Sequence, residues 1–211
     1  MTEAQLAVLR RLVFSLALGV AAYAAVAYSV LPLGSTVHPD MRVAFNSHQL
    51  GIYSHIFASI FALALGPFQF SQRLRTRHPH LHRWSGRLYL GVGVLVGGVA
   101  GLYMAQFAFG GTPSQWGFSL LAIFWLASGW RAFSAIRRGD VTAHQRWMVR
   151  NYALTLAAVT IRLYLPLGGL LGVPFEITYP AVTWLCWLPN LAIAEWWLAR
   201  GGGPVTISKD H

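Results

Sequence analysis

The sequence predicts an all-α integral membrane protein, a bundle of six transmembrane helices with both ends on the cytoplasmic side. Three observations carry this expectation. Of 211 residues, 55% are hydrophobic and 10% are charged, whereas an ordinary soluble domain carries about 25% charged residues. So few charges cannot cover that much apolar surface in water, and a chain this apolar is not disordered. Six stretches each reach the roughly 20 apolar residues needed to cross a ~30 Å hydrocarbon core. The basic residues collect on one side of those stretches, as cytoplasmic loops do.

The stretches are 13–33, 50–70, 88–109, 116–136, 148–171 and about 178–199. The first is too long for the apolar core of a signal peptide, and Ala22-Tyr23-Ala24 lies inside it, so it reads as a retained span. Asn46-x-x-Gln49 before the second and Thr142-x-x-Gln145 before the fifth resemble capping boxes. The third carries Gly93, Gly97 and Gly101 at four-residue spacing, which lets helix backbones approach closely in lipid. That face serves packing within the bundle or a homodimer contact. Gly110-Gly111-Thr112-Pro113 makes a short turn before the fourth. Pro166-Leu167-Gly168-Gly169 ends or kinks the fifth, and Pro189-Asn190 interrupts the sixth. No long linker occurs, so residues 1–211 are expected to form one domain.

Arg10 and Arg11 precede the first span, and Arg200 and Lys209 follow the sixth. Arg73, Arg75, Arg77, Arg83 and Arg87 lie between the second and third. Arg131, Arg137, Arg138, Arg146 and Arg150 cluster about the join of the fourth and fifth, the first and last of them just inside the span ends. Fourteen of sixteen basic residues thus share one side, which predicts a multi-pass protein of a cell inner membrane, N-in and C-in. The formal charge of +10 is then a topology signal that attracts anionic lipid. It does not point to nucleic acid, because the chain lacks the solvated basic face a duplex needs. A single cysteine, Cys186, excludes an intramolecular disulfide. There is neither a Gly-rich phosphate loop ending in Lys-Ser or Lys-Thr nor a Gly-x-Ser-x-Gly elbow.

Polar groups inside a membrane are costly and mark function. In the second span His48, His55 and Ser59 hold one helical face, with His55 about 10 Å below the outer end. In the fifth, His144, Asn151, Thr155 and Arg162 follow the same rule, and Arg162 falls in the outer third. His55 and Arg162 are therefore expected to share the outer half, where His55 either ligates or hydrogen-bonds a neighbouring helix. Arg162 is expected to pair with Glu176 or with backbone carbonyls. On the inner side His78, His80 and His82 alternate within an Arg-rich loop. His78 and His80 read as solvated. His82 and His144, each at a helix entrance, are either solvated or the two ligands of haem iron or another metal. Arg83, Arg87 and Arg146 suit the acidic groups of such a cofactor.

Several of these pieces together resemble a bacterial family of predicted multipass membrane proteins, domain-of-unknown-function family 2306. They are His55; Gly66-Pro67-Phe68-Gln69-Phe70; His82-Arg83 with Gly86-Arg87-x-Tyr89; Gly139-Asp140; His144-x-Arg146-Trp147-Met148-x-Arg150; and Arg162. The resemblance spans roughly residues 48 to 165 and implies a membrane location. Histidines on a small bundle also resemble b-type membrane cytochromes, but His55 has no outer partner except His48 on its own helix. One inner haem, not two, fits that pattern.

Two functional readings follow. In the first, His82 and His144 hold haem b or a transition metal, with a redox or quinone-linked role and a quinone or other small molecule near His55 and Arg162. In the second, the protein is a non-catalytic transporter or membrane assembly factor whose polar path uses His55, Ser59, Thr155 and Arg162.

Overall fold

The computed structural model describes residues 3–201, so Lys209 lies outside the described residues. Among those residues the elements are helical. They are α1 (Glu3–Val30), a 3-10 turn (Pro39–Met41), α2 (Arg42–Ser47), α3 (Gln49–Gln69), α4 (Gln72–Arg77), α5 (Pro79–Leu88), a π-helical stretch (Tyr89–Val96), α6 (Gly97–Ala105), α7 (Thr112–Arg137), α8 (Val141–Thr155), α9 (Ala157–Leu170), α10 (Phe175–Leu185) and α11 (Leu188–Ala199). Among the described residues five stretches are long and apolar enough to cross a membrane: Ala7–Val30, Gln49–Gln69, Pro79–Ala105, Thr112–Arg137 and Val141–Leu170.

The sixth apolar stretch is not one helix. It folds as α10 and α11, which meet at the buried pair Cys186 and Trp187, just ahead of Pro189. Proline has no N–H to continue a helical ladder but fits a first turn, and α11 begins around it. Asn190 repairs the junction: its amide donates to the Cys186 carbonyl at 2.9 Å and to Thr160 Oγ1 on α9 at 3.0 Å.

Small residues line much of the helix contact surface, as is common in lipid, beside a core of larger side chains such as Tyr89, Trp125, Tyr152 and Trp187. Ala17, Ala21, Ala24 and Ala27 form the buried stripe of α1, which packs on α3. Leu50 and Leu170 are 84% and 85% exposed. The third-span glycines are spent inside the bundle. A Cβ on Gly93 would meet Ala62, on Gly97 Ser59, and on Gly101 His55, all on α3; on Gly98 it would meet Leu126 of α7.

Three local expectations are corrected. The third span begins at Pro79, so His82 stands in the first turns of a helix and not in a loop. Asn46 lies within α2, and His48 precedes α3 without a side-chain cap. Asp140 and not Thr142 caps α8, accepting from the Ala143 N–H at 2.9 Å. The reason is upstream: Gly139, at φ 78°, closes α7 and leaves Asp140 in the cap position. Pro166 lies inside α9, which runs on until Gly172 takes φ 70°.

Aromatic contacts fix the direction of the helices. Phe14 on α1 meets Phe68 near the end of α3, ring centres 5.4 Å apart, while Ala24 packs with Ile52 and Ile56 near its start, so these helices run antiparallel. At the opposite end His38 stacks on Phe175 at 3.9 Å, and Phe109 and Tyr179 join them. Arginine–tryptophan pairs gather at the arginine-rich end: Arg87 over Trp84, Arg131 and Arg150 over Trp147, and Arg200 over Trp196.

Candidate functional site

The polar groups fall into three clusters. The first lies toward the end away from the arginines. His55, a turn and a half into α3, turns its Nδ1 to the Gly97 carbonyl at 2.8 Å. A carbonyl only accepts, so Nδ1 carries the proton and Nε2 keeps its lone pair. The ring fits because Gly101 has no side chain, whose Cβ would come within 2.7 Å of Nδ1. One turn along, Ser59 has a covered Oγ with no hydrogen-bond partner.

Arg162 comes from α9 into electrostatic reach of His55, with Tyr23 and Tyr28 of α1 also close to it. One guanidinium nitrogen donates to the Ala158 carbonyl at 2.8 Å. Of the two partners expected for Arg162, the carbonyl is the one in place. Among the described residues no carboxylate comes within salt-bridge distance of it; the arginine–carboxylate pair present is Arg150 with Glu195. A partly buried guanidinium with most of its five donors uncommitted is an anomaly in a low-dielectric bundle. His48 faces α6 as His55 does, but it stacks on Phe107 at 3.6 Å and bonds Tyr103 at 2.8 Å. A groove of about 590 Å³ lies beside it, lined by Ser47, His48, Leu50, Ser54, Val99 and Tyr103 among others. Neither His55 nor Arg162 lines it.

The second cluster is at the arginine-rich end. His144 Nδ1 donates to the Ala132 carbonyl of α7 at 2.9 Å, which leaves Nε2 as an acceptor. His82 is half-buried, with Nδ1 covered and unpartnered. It stands in electrostatic reach of His144, Arg75 and Arg83. Arg83, Arg87 and Arg146 are exposed. Among the described residues no three His, Cys, Asp or Glu side chains converge as ligands. A protein-only zinc site takes three or four such ligands, so these two histidines do not make one.

The third cluster is one that periodicity did not assemble. Tyr89 and Asn151 are wholly buried. The Tyr89 hydroxyl donates to Asn151 Oδ1 at 2.6 Å and touches Thr155 Oγ1 at 3.1 Å. Asn151 donates to the Trp125 carbonyl and to Ser128 Oγ, both at 2.8 Å. The Trp125 indole N–H donates to Thr155 Oγ1 at 2.9 Å. The network binds the π-helical stretch, α7 and α8 together. Thr155 is consumed in it and is not free to line a path. Asn151 and Thr155 were visible as a stripe, and Tyr89 belongs to the motif carrying the resemblance. Trp125 gave no signal, because nine tryptophans in an apolar chain read as interfacial belts.

The same motif residues have packing roles. Gly66 lies against the Tyr152 ring, where a Cβ would overlap it. Gln69 donates to Ser85 Oγ at 2.8 Å, tying α3 to α5, and Gly86 leaves room for the Gln69 side chain.

A family model described as "Predicted membrane protein (DUF2306)" matches residues 52–198. No curated protein and no solved structure matches the chain.

Proposed function

The chain belongs to the DUF2306 family of predicted membrane proteins, and from that premise we propose that it binds the polar head of a small amphiphile between His55, Ser59 and Arg162. The multi-pass chain is read here as six spans, N-in and C-in, in a cell inner membrane. The observation that carries the reading is Arg162, which has no carboxylate partner among the described residues and stands near a histidine with a free Nε2. Guanidinium N–H groups donate to a carbonyl or anionic oxygen, and Nε2 accepts a proton or an O–H. Ser59 Oγ does either. A head that carries an acceptor and a donor together satisfies all three, and a quinone–quinol head is of that kind.

The test is titration of the detergent-purified protein with a short-chain benzoquinone, read by quenching of tryptophan fluorescence. Saturable quenching is expected. Arg162→Gln should weaken it about tenfold or more, the equivalent of a charge-assisted hydrogen bond of about 1.5–3 kcal/mol. Identical titrations for wild type, Arg162→Gln and Ser59→Ala would remove this reading.

His144 favours a second reading. Its Nδ1–H is held by a backbone carbonyl, as in histidines that ligate a metal through the other nitrogen. With His82 nearby, the pair would hold haem b or a transition metal, and Arg83, Arg87 and Arg146 would take acidic groups of the cofactor. A visible spectrum of protein purified from haem-replete cells decides it. A Soret band lost in His144→Ala supports it, and a featureless spectrum with no bound metal ends it.

A further inference from the structure

We propose that the elbow formed by α4 and α5 seats a phosphate group, with Arg75 and Arg83 flanking His82. This inference does not depend on the His55–Arg162 site.

The argument starts from charge. Between Asp40 and Asp140 the sequence contains no Asp or Glu, yet Arg73, Arg75, Arg77, Arg83 and Arg87 all fall within the elbow. The acidic side chains described at this end are committed elsewhere. Asp140 caps α8, and Glu195 holds Arg150 by two bonds of 2.5 and 2.9 Å. Among the described residues none of the five elbow arginines has a carboxylate within salt-bridge distance. Arg87 lies over the Trp84 ring. Arg75, half-buried, and Arg83 stand instead in electrostatic reach of His82, whose Nδ1 has no partner. Two guanidiniums and an unpartnered imidazole nitrogen thus share one corner without a carboxylate partner among the described residues, and an anion from outside the chain completes it.

The elbow's position selects phosphate. Leu81, Trp84 and Leu88 fall at i, i+3 and i+7 on α5 and are 60%, 59% and 41% exposed. An exposed apolar face of that kind lies in acyl chains, with the arginines at headgroup level. The nearest abundant anion at that depth is a phospholipid phosphate, and guanidinium forks bind phosphate oxygens in pairs. A soluble phosphate compound presents the same chemistry from the aqueous side.

Native mass spectrometry of the full chain in detergent tests the proposal, with phosphatidylglycerol, phosphatidylcholine and inorganic phosphate as probes. One phosphatidylglycerol should bind per chain, and Arg75→Gln/Arg83→Gln should weaken it at least tenfold. Arg137→Gln/Arg138→Gln removes the same charge from the end of α7 and should leave binding within twofold. Both variants should elute as the wild type in size exclusion, which separates lost binding from lost fold. Phosphate binding with the same dependence on Arg75 and Arg83, without lipid binding, supports the site with a soluble source. Phosphatidylcholine carries the same phosphate diester and should depend on Arg75 and Arg83 in the same way; equal lipid binding by wild type and Arg75→Gln/Arg83→Gln, or equal loss in both double variants, overturns the proposal.

Discussion

The Tyr89 hydroxyl donates to Asn151 Oδ1 at 2.6 Å, and so joins the π-helical stretch to α8 at a point from which solvent is excluded. A π-helix is uncommon and short where it occurs, because widening the turn weakens packing along its axis. Here eight residues adopt it. Gly97 N–H reaches back five residues to the Val92 carbonyl as α6 resumes. The stretch holds Tyr89 under α7 and α8 and Gly93 against Ala62, and it ends at Gly97, the first residue of α6, whose carbonyl meets His55. The buried network therefore draws on the irregular element, and the His55 site lies at its end.

Tyr89→Phe removes one hydroxyl and leaves Asn151 Oδ1 buried without its donor. A cost of about 1–3 kcal/mol is expected. Asn151→Ala should cost more, since it strips Tyr89 and Ser128 of partners and opens a cavity. Thermal unfolding in detergent checks both. Equal midpoints for wild type and Asn151→Ala would contradict the network.

Gly101→Ala places a methyl group on the His55 ring. The ring must move away from the Gly97 carbonyl or α6 must shift from α3. Binding at the His55–Arg162 site should fall several-fold, in contrast to Gly91→Ala, where the added methyl meets nothing. Parallel quinone titrations of the two variants provide the comparison. If Gly101→Ala behaves as Gly91→Ala, the ring position described above is not needed for binding.

The proposed orientation predicts where single cysteines label. With Cys186 replaced by Ala, a cysteine at Ser35 or Thr112 should react with an impermeant maleimide in intact cells. One at Thr76 or Arg138 should react only after the cells are opened. The reverse pattern would invert the topology.

The membrane class, the helical content and the family were legible in the sequence because they rest on sums over many residues. Twenty apolar positions in a row outweigh any local uncertainty, and arginines at alternate loops repeat one signal several times. His55 and Arg162 were expected to share one half of the bundle, and Arg162 stands within electrostatic reach of His55. What failed to show were features set by a few atoms. Asp140 outcompetes Thr142 as a cap because Gly139 ends α7 one residue earlier. Trp125 enters the network through a single indole N–H that no periodicity reveals.

The sequence by itself determined the apolar body, its apolar stretches and the clustering of its basic residues between them, since hydrophobicity and charge asymmetry are read from composition and order alone. Only the tertiary structure decided which polar groups are already satisfied. Thr155 and His48 look as available in the sequence as Ser59 and Arg162, yet the first two are bound to neighbouring helices, whereas Ser59 Oγ has no partner and Arg162 bonds a carbonyl of its own helix. Hydrogen-bond satisfaction depends on ångström distances between helices far apart in the chain. It is therefore fixed by packing and cannot be read from spacing.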